Sequence, residues 1–480
     1  MAGTSTCMGN GTSGPCAGDV VPETESCKLV GDENCDGISC SEAVWAEIFG
    51  DTSTYREIYS TAIDPQGNIL AAGVFIGSLK LGNLAALVSG GQDYFVAKFD
   101  AKGAPLWAKQ FGDATDNGGN ISVAVDKNGN AVIAGGLTGT ANFGAGVTVN
   151  QGLTDIFVAK YDPSGNYKWG TTFGSVALET ANSVAIDSQG DVIIAGSLNG
   201  TLSFGGATFA AGGNQADAFL TKLAAANGAH VWSKHFAEAS MQVNSNQGFN
   251  RIAADPADYI QVVGSFNKSA NFGGAPFLVA TQSIVVARYD SAGNHSWSHA
   301  FSASAQLAST RIAGDSAGNL LVTGVLSGSI DFGGGPITAQ GILNNICLVK
   351  FDATGVFKWN KIFADSGDDL AADVAADSSN NVVITGYIGG AADFGGGPLA
   401  NAGANDAFLA KLDPSGAHLW SKSFGDSAAQ VGRTVDTDPT TQEIVMSGTA
   451  LGTIDFGTVP LAAGAGTNMH GGATLAKFQP

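Results

Sequence analysis

Apolar and polar positions alternate along most of this chain in short runs cut by Gly, Asn and Pro, a pattern of half-buried strands and tight turns. Residues 120–174 show the unit. NISVAVD ends at Asp126, KNGN turns, and AVIAGGL follows, which reads as a hairpin. A Gly-rich passage containing NFGAG comes next. DIFVAKYD and YKWGTTFG are then joined by PSGN in a second hairpin. The unit predicts four strands, A to D, with short A–B and C–D turns, a long B–C connection and a medium D–A connection.

The unit recurs. DIFVAKYDPSGNYKWGTTFGS at 155–175 returns as DAFLAKLDPSGAHLWSKSFGD at 406–426. All seven tryptophans (Trp45, Trp107, Trp169, Trp232, Trp297, Trp359 and Trp420) follow at spacings of 62, 62, 63, 65, 62 and 61. A period of that length with several strands per unit belongs to closed β-repeat arrays. The A strands end at Asp64, Asp126, Asp187, Asp255, Asp315, Asp377 and Asp438, which makes seven blades. Trp45 sits on a D-type strand, VWAEIFG, with no A, B or C strand ahead of it, and the last strand, ATLAKF, is of C type. The two fragments complement each other, so residues 44–50 are expected to complete the seventh blade and close the ring. The fold expected is all-β: a seven-bladed β-propeller of four-stranded antiparallel blades over 43–480, preceded by a Cys-rich segment, 1–42.

The repeated letters predict structural roles. Ala62, Ala124, Ala185, Ala253, Ala313 and Ala375 stand two residues before the A-strand Asp, where the innermost strands crowd; Asp436 is the exception. The Trp ring should fill the wider outer gap between blades. A basic residue recurs on strand C (Lys98, Lys160, Lys222, Arg288, Lys350, Lys411, Lys477) and should pair with a repeated Asp or cap carbonyls. Cys347 takes a position held by Phe408 one blade later, hence an apolar core position. FVAKFD, the Trp followed by FG, the VAVD strand, the GN turn and the FGGG loop together resemble the SBBP-type propeller repeat of bacterial secreted and cell-surface proteins, over about residues 43–480. That resemblance implies the fold and little about chemistry.

Charge and cysteine usage narrow the setting. Net charge is −20, which repels phosphate backbones and argues against a nucleic-acid partner. No apolar run is long enough for a transmembrane helix. Cys7, Cys16, Cys27, Cys35 and Cys40 cluster ahead of the propeller, which reads as disulfides in an oxidising compartment; a zinc site is the weaker alternative, with no CxxC pair and no nearby His. The opening MAGTSTCMGNG has no charged n-region or apolar core, and the cluster's odd count leaves one cysteine over, so the natural chain is expected to begin further upstream.

Function should lie where one blade departs from its neighbours. Four residues before the A-strand Asp the blades read Ser60, Ser122, Ser183, Arg251, Arg311, Asp373 and Thr434, with Arg433 and Asp436 beside the last. These charges would form a mixed-sign axial patch for an anion or a carbohydrate, or Arg311 and Asp373 would satisfy each other between blades. Asp51, Asp113, Glu238, Asp365 and Asp426 open the D–A loops, and Asp116, Asp368 and Asp369 add to them. This acidic ring is a solvated surface, or a lure for divalent cations or a basic partner. The six histidines scatter, and no HExxH, GxSxG or Cys/His pair occurs, so no catalytic residue is assigned.

In DENCDGISCSE, residues 32–42, Asp32, Asn34 and Asp36 alternate before Gly37, the opening of an EF-hand-type calcium loop. The closing acid is displaced: Ala43 stands at the twelfth position and Glu42 one before it. The segment GPCAGDVVPETESCKLVGDENCDG resembles the Cys- and Asp-rich metal-binding motif of MopE-like bacterial surface proteins, which implies Ca²⁺ or another divalent ion at Asp32, Asn34, Asp36 and Glu42. An ordinary disulfide-linked acidic linker is the alternative. The reading carried forward is a monomeric extracellular, cell-surface or periplasmic binding module for a protein or glycan, using the face with the long B–C and D–A loops. An extracellular enzyme acting on a glycan or other polymer from that face, and a purely structural envelope protein, are the rivals.

Overall fold

Strands B and C of each unit are apolar almost throughout because both of their faces are covered. VIIAGSL at Val192–Leu198 and DAFLTKL at Asp217–Leu223 are buried nearly end to end, whereas the D strand His230–Phe236 alternates. Each sheet therefore lies between two others, and the hydrophobic clusters form across neighbouring blades. One of them joins Val132, Ile156 and Trp169 of blade 2 to Ala181, Val192 and Phe219 of blade 3.

The structure, a computed structural model, describes residues 43–49, 55–113, 119–211, 215–237, 247–302, 304, 306–341, 343–363, 367–464 and 471–480. These residues form seven antiparallel four-stranded sheets in the order A-B-C-D, with no helix among them. None of them therefore lies in a helix long and apolar enough to cross a membrane. The A strands are Arg56–Ile63, Ile121–Val125, Glu179–Ile186, Gln247–Ala254, Gln306–Gly314, Leu370–Ala376 and Gln430–Thr437. Each packs on the A strand of the next blade, and the last returns to the first. The seventh sheet closes as the sequence predicted. Ala43–Phe49 pairs antiparallel with Gly472–Phe478, which pairs in turn with Ile444–Ala450.

The strand-C cations do pair with the repeated acids. Lys98 reaches Asp64 at 2.7 Å, Lys160 Asp126 at 2.9 Å, Lys222 Asp187 at 2.5 Å, Arg288 Asp255 at 2.5 Å, Lys350 Asp315 at 2.9 Å and Lys411 Asp377 at 3.0 Å. In blade 7 the A–B turn is one residue longer, and Lys477 takes Glu443 instead, at 2.6 Å. Six of the seven Trp rings cover the C–D turn of the next blade. A Cβ on Gly103, which has φ +86°, would come within 2.9 Å of the Trp45 ring, and the Trp45 indole donates to Ala101 O at 3.1 Å. The bond repeats at Pro163, Ala225, Ser291, Ala353 and Pro414. Trp420 faces the blade whose C–D junction is made by the two chain ends, and its indole nitrogen is buried without a partner. Cys347 is core, and burial pushes its thiol up to about 12.

Two features were not read from the alternation. The B–C connections of blades 2, 3, 4, 5 and 7 fold into small two-stranded hairpins of their own. The A strands also carry a β-bulge at the fifth residue before the Asp in blades 1, 3, 4, 6 and 7, and a wider irregularity in blade 5. The fifth residue of every B strand is Gly, and in the bulged blades the bulge explains it. A Cβ on Gly73 would lie 2.0 Å from Glu57 O, and one on Gly386 1.8 Å from Leu370 O.

Candidate functional site

The position four before the Asp is a stitch between blades. Ser60 Oγ accepts the Val123 amide at 3.1 Å, Ser122 Oγ that of Val184 at 3.3 Å, and Ser183 Oγ that of Ile252 at 3.2 Å. Asp373 accepts from Val435 at 3.1 Å, and Thr434 shares a hydroxyl bond of 2.9 Å with Thr61. Arg251 and Arg311 interrupt this series, having no oxygen to offer. Arg251 Nη1 donates to Asn182 O and Asn250 O at 2.9 and 3.0 Å, and Arg311 Nη1 to Thr310 O at 3.3 Å.

Arg311 and Asp373 feel each other's charge but form no ion pair among the described residues, so the direct pairing weighed from sequence is absent. Burial first, then repulsion from Arg311, lowers Arg251 to about 9, against the attraction of Asp373. Burial likewise lowers Arg311 and raises Asp373. Two guanidinium groups thus share one carboxylate in the channel.

Tyr59 and Arg433 are the bulged residues of blades 1 and 7, and a second group of departures gathers around them at the D–A end. Arg433 lies 2.6 Å from Glu57, whose side chain is only 7% exposed. The Tyr55 hydroxyl donates to Glu57 and lies 2.8 Å from the Tyr59 hydroxyl. Tyr387 donates to Asp368 at 3.0 Å. Burial, then the bonds to Glu57 and Tyr59, pushes Tyr55 well above the usual phenol range. Burial and the charge of Glu57 raise Tyr59, and burial and Asp368 push Tyr387 up to about 12. All three phenols keep their protons at neutral pH and act as donors. Tyr55, Glu57, Tyr59 and Tyr387 were missed from sequence. The available signal was TYREIYS, the one A strand that carries tyrosines.

The described acids of the D–A loops are mostly braces. Asp113 accepts from the Thr140 amide and hydroxyl at 2.9 and 2.6 Å, Asp426 from Thr453 N at 2.7 Å, and Asp369 from Gly389 N at 3.0 Å. These bonds tie D–A loops to B–C loops and put both on one face. Asp51, Asp116, Glu238, Asp365, His470, the five N-terminal cysteines and the calcium-loop residues Asp32, Asn34, Asp36 and Glu42 lie outside the described residues. Among those described, no group of three or more His, Cys, Asp or Glu is placed to hold a metal ion. His230, His295 and His418 each bond a serine hydroxyl three residues on, at 3.0–3.1 Å, and cover the FGG loop.

The other end of the channel opens as a cavity of about 520 Å³ lined by Ile63, Val125, Ile186, Ala254, Ala376 and Thr437, with Asp436 among them. Burial, and after it the charges of Asp373 and Asp438, push Asp436 up to about 7, against the amides of Thr437 and Ile63. The folded state therefore holds a proton between about pH 4 and 7 that the unfolded chain releases, and stability falls as the pH rises through that window. An effect on the order of 2–4 kcal/mol corresponds to such a shift. Asp436→Ala, the residue of the other blades, should melt higher than the parent at pH 8 and alike near pH 4.5. Equal melting curves at pH 8 would refute the assignment.

No protein-family model matches the chain and no curated protein matches it, so the SBBP-type and MopE-like resemblances stand on the motifs quoted above. Among solved structures the chain is similar to the Pan2 WD40 domain of Neurospora crassa, at 10% identity and TM-score 0.43, over 92% of this chain and 100% of that one. It is also similar to the polysaccharide lyase Uly1, at 9% identity and TM-score 0.47, over 91% and 99%. An ulvan lyase of a new polysaccharide lyase family follows at 10% and 0.44, over 84% and 93%. Likenesses this distant carry no argument about activity; the architecture rests on the strand order.

Proposed function

We propose that this protein is an extracellular or cell-surface binding module that takes a hydroxyl-rich ligand, a glycan, at the axial mouth on the face of the D–A and B–C loops. One observation carries the reading: a cluster of departures from sevenfold repetition gathers at that mouth. Arg433 and Glu57 form a braced charged pair there, and the hydroxyls of Tyr55, Tyr59 and Tyr387 stand around it. The phenol oxygens, whose protons are held by Glu57, Tyr55 and Asp368, accept, and the Arg433 guanidinium donates; that pairing suits alternating sugar hydroxyls, which both donate and accept. The raised phenols keep their protons at neutral pH, which suits hydrogen bonding rather than service as a base.

Glu57→Gln keeps the shape of the mouth and removes its charge, and Arg433→Ala removes the partner. Each should weaken binding to a polysaccharide retained by the parent in a pull-down or glycan-array screen by at least tenfold, with the melting temperature within a few degrees of the parent. Retention of full affinity by both variants would sink the reading.

A further inference from the structure

The bulges of blades 3 and 4 turn Asn182 and Asn250 into a second cavity on the same face, of about 280 Å³, across the ring from the Glu57–Arg433 pair. Ser197, Ser265, Gln247 and Gln282 also wall it, and among the described residues no ionised or aromatic side chain does. The amide nitrogens of Asn182 and Asn250 are spent on Phe249 O at 2.9 Å and Thr310 Oγ1 at 3.1 Å. Their amide oxygens, with Gln282 and Ser265, are left for a ligand. The volume lies just below the usual range of ligand pockets, roughly 300–1,000 Å³, and suits a single sugar ring. With no aromatic platform, that ring would be held through its hydroxyl edges rather than by stacking.

Arg251 adjoins this cavity, because its Nη1 donates to the carbonyls of both asparagines. Its other nitrogens, and those of Arg311 beyond Nη1, bond nothing among the described residues. Among the described residues Asp373 is the one carboxylate whose charge acts on both, and its Oδ2 is taken by the Val435 amide. A chain of net charge −20 thus keeps a local excess of positive charge beside an amide-lined pocket. Guanidinium forks match a planar carboxylate in two-point geometry. We infer that the glycan unit bound on this face is an acidic sugar, its hydroxyl edge against Asn182, Asn250, Gln282 and Ser265, and its carboxylate against Arg251 and Arg311. This rests on the glycan-binding reading above and specifies the ligand.

Calorimetric titration of the full chain tests it with three probes: a β-1,4-linked glucuronate oligosaccharide, the neutral cello-oligosaccharide of equal length, and inorganic phosphate. The glucuronate oligomer should bind at least tenfold more tightly than the neutral one, and phosphate weakly. Arg251→Ser/Arg311→Ser installs the stitching residue of blades 1 to 3, so the fold should hold while the preference for the acidic oligomer disappears. Gln282→Ala should weaken both oligomers about threefold. If the double variant loses its melting transition, Arg251→Lys reads the same preference, since it keeps the charge and loses the fork. Equal affinity for both oligomers, or a preference untouched by the arginine variants, overturns the acidic-sugar inference and leaves glycan binding at Glu57 and Arg433 standing. Phosphate as tight as glucuronate would make this a general anion site and overturns it as well. Failure of every oligosaccharide to bind removes both readings.

Discussion

A chain lacking residues 1–50 should lose most of its stability and expose an aggregating edge. The strand Ala43–Phe49 supplies the outer edge of blade 7, with paired backbone from Ala43 opposite Phe478 to Phe49 opposite Ala473. Phe49 and Ala43 are buried, and Trp45 covers Gly103 of blade 1. Fully burying a large apolar side chain is worth about 1.5–3 kcal/mol. Phe49 is buried and Trp45 and Ile48 half-buried, so their loss together is on the order of 3–6 kcal/mol, comparable with the whole stability of many domains. The neighbouring seam adds to the effect. Blade 6 meets blade 7 without the indole bond that joins the other blades, since Trp420 lacks its carbonyl. A fall of ten degrees or more in melting temperature is expected, with oligomers on size exclusion from the uncovered GATLAKF strand. Re-attaching AVWAEIF after Pro480 through a short linker should restore the parent curve. An unchanged melt after deletion, or no rescue, would show that this strand does not close the ring.

The closure was legible because it follows from counting alone: seven tryptophans, seven A-strand acids and two complementary fragments leave one arrangement. The Lys–Asp pairs were legible for the same reason, since residues repeated in every blade must serve the fold. The mouth was not. Period-two reading aims Ser60, Ser183 and their equivalents at the axis, but the bulge rotates the strand, so that position stitches blades and its neighbour faces the channel. Arg433 was noticed only as a neighbour of Thr434, and Glu57 not at all. The bulge does leave a trace in the sequence, in the Gly at the fifth place of each B strand. That trace needs a known partner strand before it can be interpreted. The B–C hairpins escaped because their signals are glycines with the extra conformational range of short loops, not alternating side chains. Of the acidic ring, sequence gave the positions of Asp113, Asp369 and Asp426 but not the amides that engage them.

The repeated ion pairs should respond asymmetrically to mutation. Asp64 is fully buried and accepts from the amides of Gln66 and Asn68 at 2.9 Å, from the Asn68 side chain at 2.8 Å and from Lys98 at 2.7 Å. Among the described residues Lys98 has besides this only Pro163 O, at 3.4 Å. Asp64→Ala leaves an ammonium group that is 2% exposed without its counter-charge and strips the turn of its acceptor. A loss of about 3–5 kcal/mol is expected. Lys98→Met leaves the carboxylate with three of its four donors and fills the same space with apolar atoms, so about 1–2 kcal/mol is expected. Asp64→Ala/Lys98→Met together should cost less than the two singles added, because neither charge is then stranded. Burial alone would raise the Asp64 carboxyl, yet the bonds from Lys98 and Asn68 more than offset it and hold it below the usual carboxylate range. Asp126 and Asp315 are held low in the same way. A depressed folded value means stability that is present above the ordinary carboxylate pKa and lost as the pH falls through the folded one. The parent should therefore unfold cooperatively in acid well below pH 4, and Asp64→Ala should show a shallower acid dependence. Denaturant midpoints at pH 7 and pH 3 check both statements. A Lys98→Met variant less stable than Asp64→Ala would mean that the lysine, rather than the aspartate with its turn, organises the pair.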